Sequence, residues 1–278
     1  MFQSRQTSGT SHSLLLISYA SLDVVSSVFA QLCFFSTLYQ IPFRIPLLLY
    51  YLVSVWVLYL LDHLWDAKKE MDPIRERSKF FLRHQTKIEW LIGISFFVSS
   101  SLGIFWVRDF VFENLMFFLS FGAILLLVVK GISPVPKELL VSFFYTWGIL
   151  LPFPFENNHR EITFLFFLHV FANVLFTYNL DRDLDRRQNT MVFSRFLSYN
   201  GMNILLRICL ILGFFFLCFT AFSKTISYPF GLALGTSYVW LFVTTFLPYK
   251  TTTLKSLAEL SYLPMFLPQI IFFFSGLP

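Results

Sequence analysis

The sequence predicts an all-α, polytopic membrane protein, a bundle of nine transmembrane helices in one domain. Composition points there first. Of 278 residues, 56% are hydrophobic, 20% aromatic and only 13% charged, where ordinary soluble domains carry about 25% charged residues. The mean hydropathy of +0.66 agrees. Second, apolar runs close to the ~20 residues needed to cross a bilayer follow one another along the chain, separated by charged or proline-containing breaks. Third, the basic residues alternate between the loops in the way that membrane insertion imposes.

The first thirteen residues are polar, with Arg5 their only charge. They read as a cytoplasmic tail ahead of a membrane domain over 14–278. The first run, 14–38, has an alternative as a signal peptide, with Leu14 to Ala20 as its apolar core and Val28-Phe29-Ala30 as a weak cleavage site. Apolar character continues past that site to Leu38, which favours a retained helix. The second run, 46–61, extends to Asp66. The others are 88–107, 110–129, 139–155, 162–178, 202–222, 226–248 and 257–274, the fifth short enough to be tilted or partly re-entrant. Short polar or proline-bearing turns such as Gln40-Ile41-Pro42 separate some of them, and the two longest loops are 67–87 and 181–201. Cys33, Cys209 and Cys218 all lie inside apolar runs and read as small buried hydrophobes.

With nine crossings, the N-terminus shares a face with the loops after even-numbered helices. That face collects 16 Lys and Arg residues, against four on the other (Arg44, Arg108, Arg160 and Lys224), with Arg207 inside helix seven. The positive-inside rule therefore predicts a cytoplasmic N-terminus. It also accounts for the net charge of +5 without nucleic acid.

Two acidic clusters fall on that same face. Asp62 and Asp66 close the second run; Asp181, Asp183 and Asp185 follow the sixth, among Arg182, Arg186 and Arg187. Asp62/Asp66 and Asp181/Asp185 are each four residues apart, which on a helix stacks two carboxylates with Cβ atoms about 5–6 Å apart. Such pairs repel unless a cation intervenes. Carboxylate oxygens suit Mg²⁺, which keeps several waters and bridges to substrate phosphate. Lys68, Lys69, Arg75, Arg77, Lys130, Arg182 and Arg186 supply positive charge nearby. The plain alternative is a solvated run of ion pairs at helix ends. The placement of both clusters on one face, at equivalent helix ends, favours a shared site.

This pattern resembles the UbiA superfamily of intramembrane prenyltransferases, which have nine transmembrane helices and Asp-rich motifs after helices two and six. Asp181-Arg-Asp-Leu-Asp185 is similar to the second motif. Lys130-Gly-Ile-Ser-Pro134, followed by Lys137-Glu-Leu-Leu-Val141 and Gly148, resembles the family's segment between helices four and five. Asp62-His-Leu-Trp-Asp66 matches only the end of the first motif: Leu58 and Tyr59 stand where the family has Asn and Asp. Leu126 and Leu127 occupy the turn where a Tyr often precedes the helix-four Lys.

The resemblance implies transfer of an isoprenyl group from a polyprenyl diphosphate to an aromatic or other lipophilic acceptor. Asp62, Asp66, Asp181 and Asp185 would hold Mg²⁺. Lys130 and Arg77 would neutralise the departing diphosphate, and Lys68, His63, Asn173 and Arg182 would contact substrate. The alternative is a non-catalytic relative that binds or transports a lipid or quinone. His63 and Asn173 also have structural readings, as a helix-end polar residue and as hydrogen-bonding glue within the bundle. Asp23, inside helix one, calls for a buried partner or a wet pocket. The Gly-rich, zinc-protease and nucleophile-elbow motifs of other enzyme classes are absent from the sequence.

Overall fold

The computed structural model describes residues 17–70, 74–133, 135–153, 159–182 and 191–275, and every regular element among them is helical. Helix α1 spans Leu22–Leu38 and α2 Ile45–Lys69. Ser21, just before α1, has φ 56°, a left-handed conformation uncommon outside glycine. Pro46 in the first turn of α2 sets φ for the helix without sacrificing a needed donor. At about 1.5 Å per residue the 25-residue α2 outreaches a ~30 Å hydrocarbon layer, so one end of the helix projects beyond it.

Helix α3 (Glu76–Arg83) lies in the long loop where the sequence signalled no helix. Its Ser78 and Phe81 turn inward onto α2. The next helices are α4 (Gln85–Phe105), α5 (Arg108–Glu113), α6 (Leu115–Val129) and α7 (Lys137–Leu150). Then come α8 (Arg160–Leu180), α9 (Tyr199–Phe222) and α10 (Tyr228–Thr244). The chain closes with α11 (Thr251–Glu259), a 3-10 stretch Leu260–Phe266 carrying Pro264, and α12 (Leu267–Ser275). Pro264 has no N–H for the helical ladder, which accounts for the tightened stretch between the two α-helical halves.

Among the described residues, five segments are long and apolar enough to cross a membrane: Ile45–Lys69, Gln85–Phe105, Arg160–Leu180, Tyr199–Phe222 and Thr251–Ser275. Outward faces carry Trp90, Phe215, Phe222, Phe273 and Phe274, large apolar side chains that only lipid would solvate favourably. The chain is an integral membrane protein. Helix α8 is its centre: half of its most apolar window is buried by the other helices, against 17–28% for the other four segments. It packs on α7, α9 and α11, while α1 packs on α2, α7 and the 3-10 stretch. A smaller apolar core joins α2, α3 and α4 through Val57, Leu60, Leu64, Phe81, Ile88 and Ile92.

Close approach of α9 and α10 depends on Gly213. A Cβ there would lie 2.4 Å from the Tyr238 ring. The missing side chain lets the Tyr238 hydroxyl pass and donate to the Leu165 carbonyl of α8 at 2.7 Å. Polar groups inside the bundle also tie helices together. Asn173 Nδ2 donates to the Ala258 carbonyl (2.8 Å), and Ser27 Oγ to the Glu259 carbonyl (2.6 Å). Asn173, expected to contact substrate, is therefore occupied in joining α8 to α11.

Candidate functional site

The C-terminal ends of α2 and α8, helix α3 and the beginnings of α7 and α11 meet at one end of the bundle. Asp62 is exposed and Asp66 half-buried on one face of α2. Among the described residues, neither carboxylate has an ion pair or a hydrogen bond. The charges acting on Asp66 are those of Asp62, Lys137, Arg77 and Asp181. Asp62 and Asp181, 119 residues apart in sequence, thus both act on Asp66.

Asp181 sits just past the last turn of α8. Arg75 Nη1 donates to its Oδ1 at 2.7 Å, and Lys255 Nζ to its Oδ2. Arg75 is held in turn by its Nε on Glu70 Oε1 at 2.8 Å. Burial pushes the Asp181 carboxyl up, but the Lys255 ammonium and Arg75 guanidinium overrule burial and hold its pKa below the usual carboxylate value. The result is a clamp from Glu70 and Arg75 through the end of α8 to α11.

His63 lies one turn before Ala67 on the same end of α2. Its Nε2 faces Arg77 Nη1 at 3.1 Å and its Nδ1 faces Ser21 Oγ at 3.1 Å. A guanidinium only donates, so Nε2 accepts and the imidazole is neutral with its proton on Nδ1. Nδ1–H then donates to Ser21, which explains the left-handed Ser21: the turn before α1 is shaped to meet α2. Phe81 packs edge-on against His63, with centroids 5.6 Å apart. Arg77 is therefore positioned from both α2 and α3.

The structure brings Asp62, Asp66, Asp181, Arg77 and His63 together, as the sequence suggested, and gives four others different surroundings. Lys130, at the end of α6, is exposed and makes no side-chain ion pair or hydrogen bond among the described residues; Lys137 is the base that acts on Asp66. Lys137 also stands over the Tyr178 ring, 5.0 Å from its centroid. Lys68 turns outward to Glu89 (2.8 Å), where both side chains are well exposed. Arg182 is buried, and its Nη2 donates to the carbonyls of Ser194 (2.7 Å) and Leu197, so it pins segment 191–198. Asn173 joins α8 to α11. Asp185 lies outside the described residues.

Arg75 and Lys137, named in the sequence only as a nearby base and as part of the segment between helices four and five, join the site, and so does Lys255, which was not singled out. Lys255 had a signal: with Glu259 it forms a Lys/Glu pair four apart at the start of an apolar run. The expected ninth helix began at residue 257; the observed one starts at Thr251 and carries Lys255 into the bundle.

Among the described residues, no group of three or more His, Cys, Asp or Glu side chains is arranged to hold a metal ion. Both oxygens of Asp181 are taken by cations, which leaves Asp62 and Asp66 as unpaired donors. Two carboxylates on one helix face suit Mg²⁺, which needs few protein ligands when water and phosphate complete its shell. No protein-family model, curated protein or solved structure matches the chain.

Proposed function

We propose that the protein is a Mg²⁺-dependent intramembrane prenyltransferase of the UbiA type, with nine membrane crossings and a cytoplasmic N-terminus. It would move an isoprenyl group from a polyprenyl diphosphate to a lipophilic acceptor. The observation that carries this reading is the meeting of Asp62, Asp66 and Asp181 with Arg75, Arg77, Lys137 and Lys255 at one end of an apolar bundle. Unpaired carboxylates and a surplus of bases, side by side, suit a ligand that carries both a divalent cation and several negative charges.

Mg²⁺, held by Asp62 and Asp66 with Asp181 and Asp185 as further donors, would offset charge on the diphosphate. Arg75 and Lys255 now neutralise Asp181, and they stand ready to share their donors with phosphate oxygens. Arg77, steadied by the acceptor nitrogen of His63, can add a further donor without reorganising. These groups stabilise the negative charge that develops as the carbon–oxygen bond of the allylic diphosphate breaks. The apolar walls keep water from the cation that remains, and the acceptor's electron pair then closes the new bond, the acceptor's displaced proton leaving with the diphosphate.

The test is equilibrium binding of radiolabelled geranylgeranyl diphosphate to the purified protein in lipid nanodiscs. Binding should require Mg²⁺ and weaken by about tenfold to a hundredfold in Asp66→Ala, the cost expected when a metal-site residue is lost. Wild-type protein that does not bind the diphosphate with Mg²⁺ present would sink the proposal. Binding without release of pyrophosphate, across a panel of acceptors, would favour the lipid- or quinone-binding alternative. Leu58 and Tyr59 in place of two acidic-motif residues give that alternative its basis.

A further inference from the structure

Between the end of α2 and the start of α4 the chain carries exposed bases that the diphosphate site does not use. Lys68 Nζ donates to Glu89 Oε1 at 2.8 Å, which sets the last turn of α2 and the first turns of α4 at one level. An exposed tryptophan lies on the membrane side of that bridge on each helix. Trp65 precedes Lys68 by three residues, about 4.5 Å along α2 toward the middle of the bundle, and is 51% exposed. Trp90 follows Glu89 on α4 and is 70% exposed. Further inward the exposed side chains are apolar, Leu58 and Leu61 on α2 and Leu91 and Ile94 on α4. Tryptophan at such a boundary places its ring toward the acyl chains and its N–H toward the headgroups. Two of them at matching depth mark the edge of the apolar layer.

The bases stand just outside that edge. Lys69 is exposed, its Nζ 4.4 Å from the centroid of the Trp65 ring. Lys87 is exposed one helical turn before Trp90. Helix α3 adds Lys79 and Arg83, four residues apart and exposed, on the side away from the buried Ser78 and Phe81. Only His84 separates α3 from α4, and the hydrogen bonds from His84 N to the Phe80 carbonyl and from Ile88 N to the His84 carbonyl carry helical spacing across it. Among the described residues no acid pairs with Lys69, Lys79, Arg83 or Lys87, while Glu89 is taken by Lys68. The exposed charged residues of 68–70 and 74–89 are five bases and two acids, Glu76 and Glu89. Unpaired cations at the depth of the phosphates complement acidic lipid. An acidic protein would use the bases and leave the two rings unexplained; a phospholipid uses both, its phosphate on the bases and its chains beside the indoles.

We propose that Lys69, Lys79, Arg83 and Lys87, standing above Trp65 and Trp90, form a docking surface for the headgroups of anionic phospholipids. The proposal is independent of prenyl transfer, since none of these six residues belongs to the diphosphate site.

The probes are phosphatidylglycerol and phosphatidylcholine with the same fluorescent acyl chain, titrated by anisotropy into the purified full chain in a neutral detergent. Each base at a lipid surface contributes about fivefold in affinity. Phosphatidylglycerol should therefore bind at least about tenfold tighter than phosphatidylcholine at low salt, and the advantage should shrink as salt screens the charges. Lys79→Gln with Arg83→Gln should weaken phosphatidylglycerol by about fivefold to twentyfold and leave phosphatidylcholine unchanged. Lys69→Gln with Lys87→Gln, on the two longer helices, is a second and separate pair, and a loss in either pair supports the surface. Arg108→Gln with Lys224→Gln removes two exposed bases elsewhere and should change neither lipid. Equal affinity for the two lipids overturns the proposal. So does a phosphatidylglycerol affinity unchanged in both double variants, as expected if the headgroup sat at the Asp181 clamp instead. Displacement of the lipid by an equal concentration of inorganic phosphate would show a site for small anions, and displacement by an equal concentration of oligoglutamate a site for an acidic protein; either result overturns the lipid surface.

Discussion

Asp181→Ala removes the carboxylate from between Arg75 and Lys255. The side chains of Asp181, Arg75 and Lys255 are 23%, 25% and 15% exposed, so none is bathed in solvent. Removing one partner of a buried pair costs about 3–5 kcal/mol. Partial solvent access at this clamp brings the expected loss to about 2–4 kcal/mol, because water screens and solvates some of the orphaned charge. Two cations are then left facing each other, so removing one of them should help. Asp181→Ala combined with Lys255→Met should recover a substantial part of the loss, as replacing buried charges by apolar groups often does. The assay is unfolding of the purified variants in one lipid mixture, followed by helical circular dichroism. At roughly 2–4 °C per kcal/mol for a chain of 150–250 residues, the single variant should melt about 4–16 °C below wild type. An unchanged melting point for Asp181→Ala, or a double variant less stable than the single one, would refute the clamp. The clamp is also pH-dependent. The carboxyl pKa of Asp181 is lowered by folding, so its stabilisation is complete above the unfolded value of ~3.9 and is lost as pH falls through the lower folded value. Wild type should lose stability on acidification below about pH 4, and Asp181→Asn should lack this component.

Gly213→Val should lower stability by about 2–4 kcal/mol, combining overpacking against Tyr238 with loss of its hydrogen bond to Leu165, and the same unfolding assay measures it. Single cysteines placed in loop 40–44 and at residue 195, in a background with Cys33, Cys209 and Cys218 replaced, should react with an impermeant maleimide from opposite sides of sealed vesicles. Labelling of both from one side would refute the proposed nine-crossing topology.

The acid clusters were legible because a carboxylate at the edge of an apolar run stands out against its neighbours, whatever the fold. Spacing of four residues placed Asp62 and Asp66 on one helix face, and the structure keeps them there. Arg182 and Lys68 looked equally good beside those acids. Their assignment turned on what each met in three dimensions: a carbonyl pair at Ser194 and Leu197, and Glu89 across the surface.

By itself the sequence determined that the chain is helical and lives in a membrane, and that its acids and bases gather at helix ends. Hydropathy and charge are properties of residue types, and a bilayer sorts them by type. Only the tertiary structure decided that Lys255 and Arg75 close on Asp181, that His63 positions Arg77, and that Asn173 ties α8 to α11. Those depend on which helices are neighbours and how each is rotated about its axis, and that is settled by packing between segments distant in sequence.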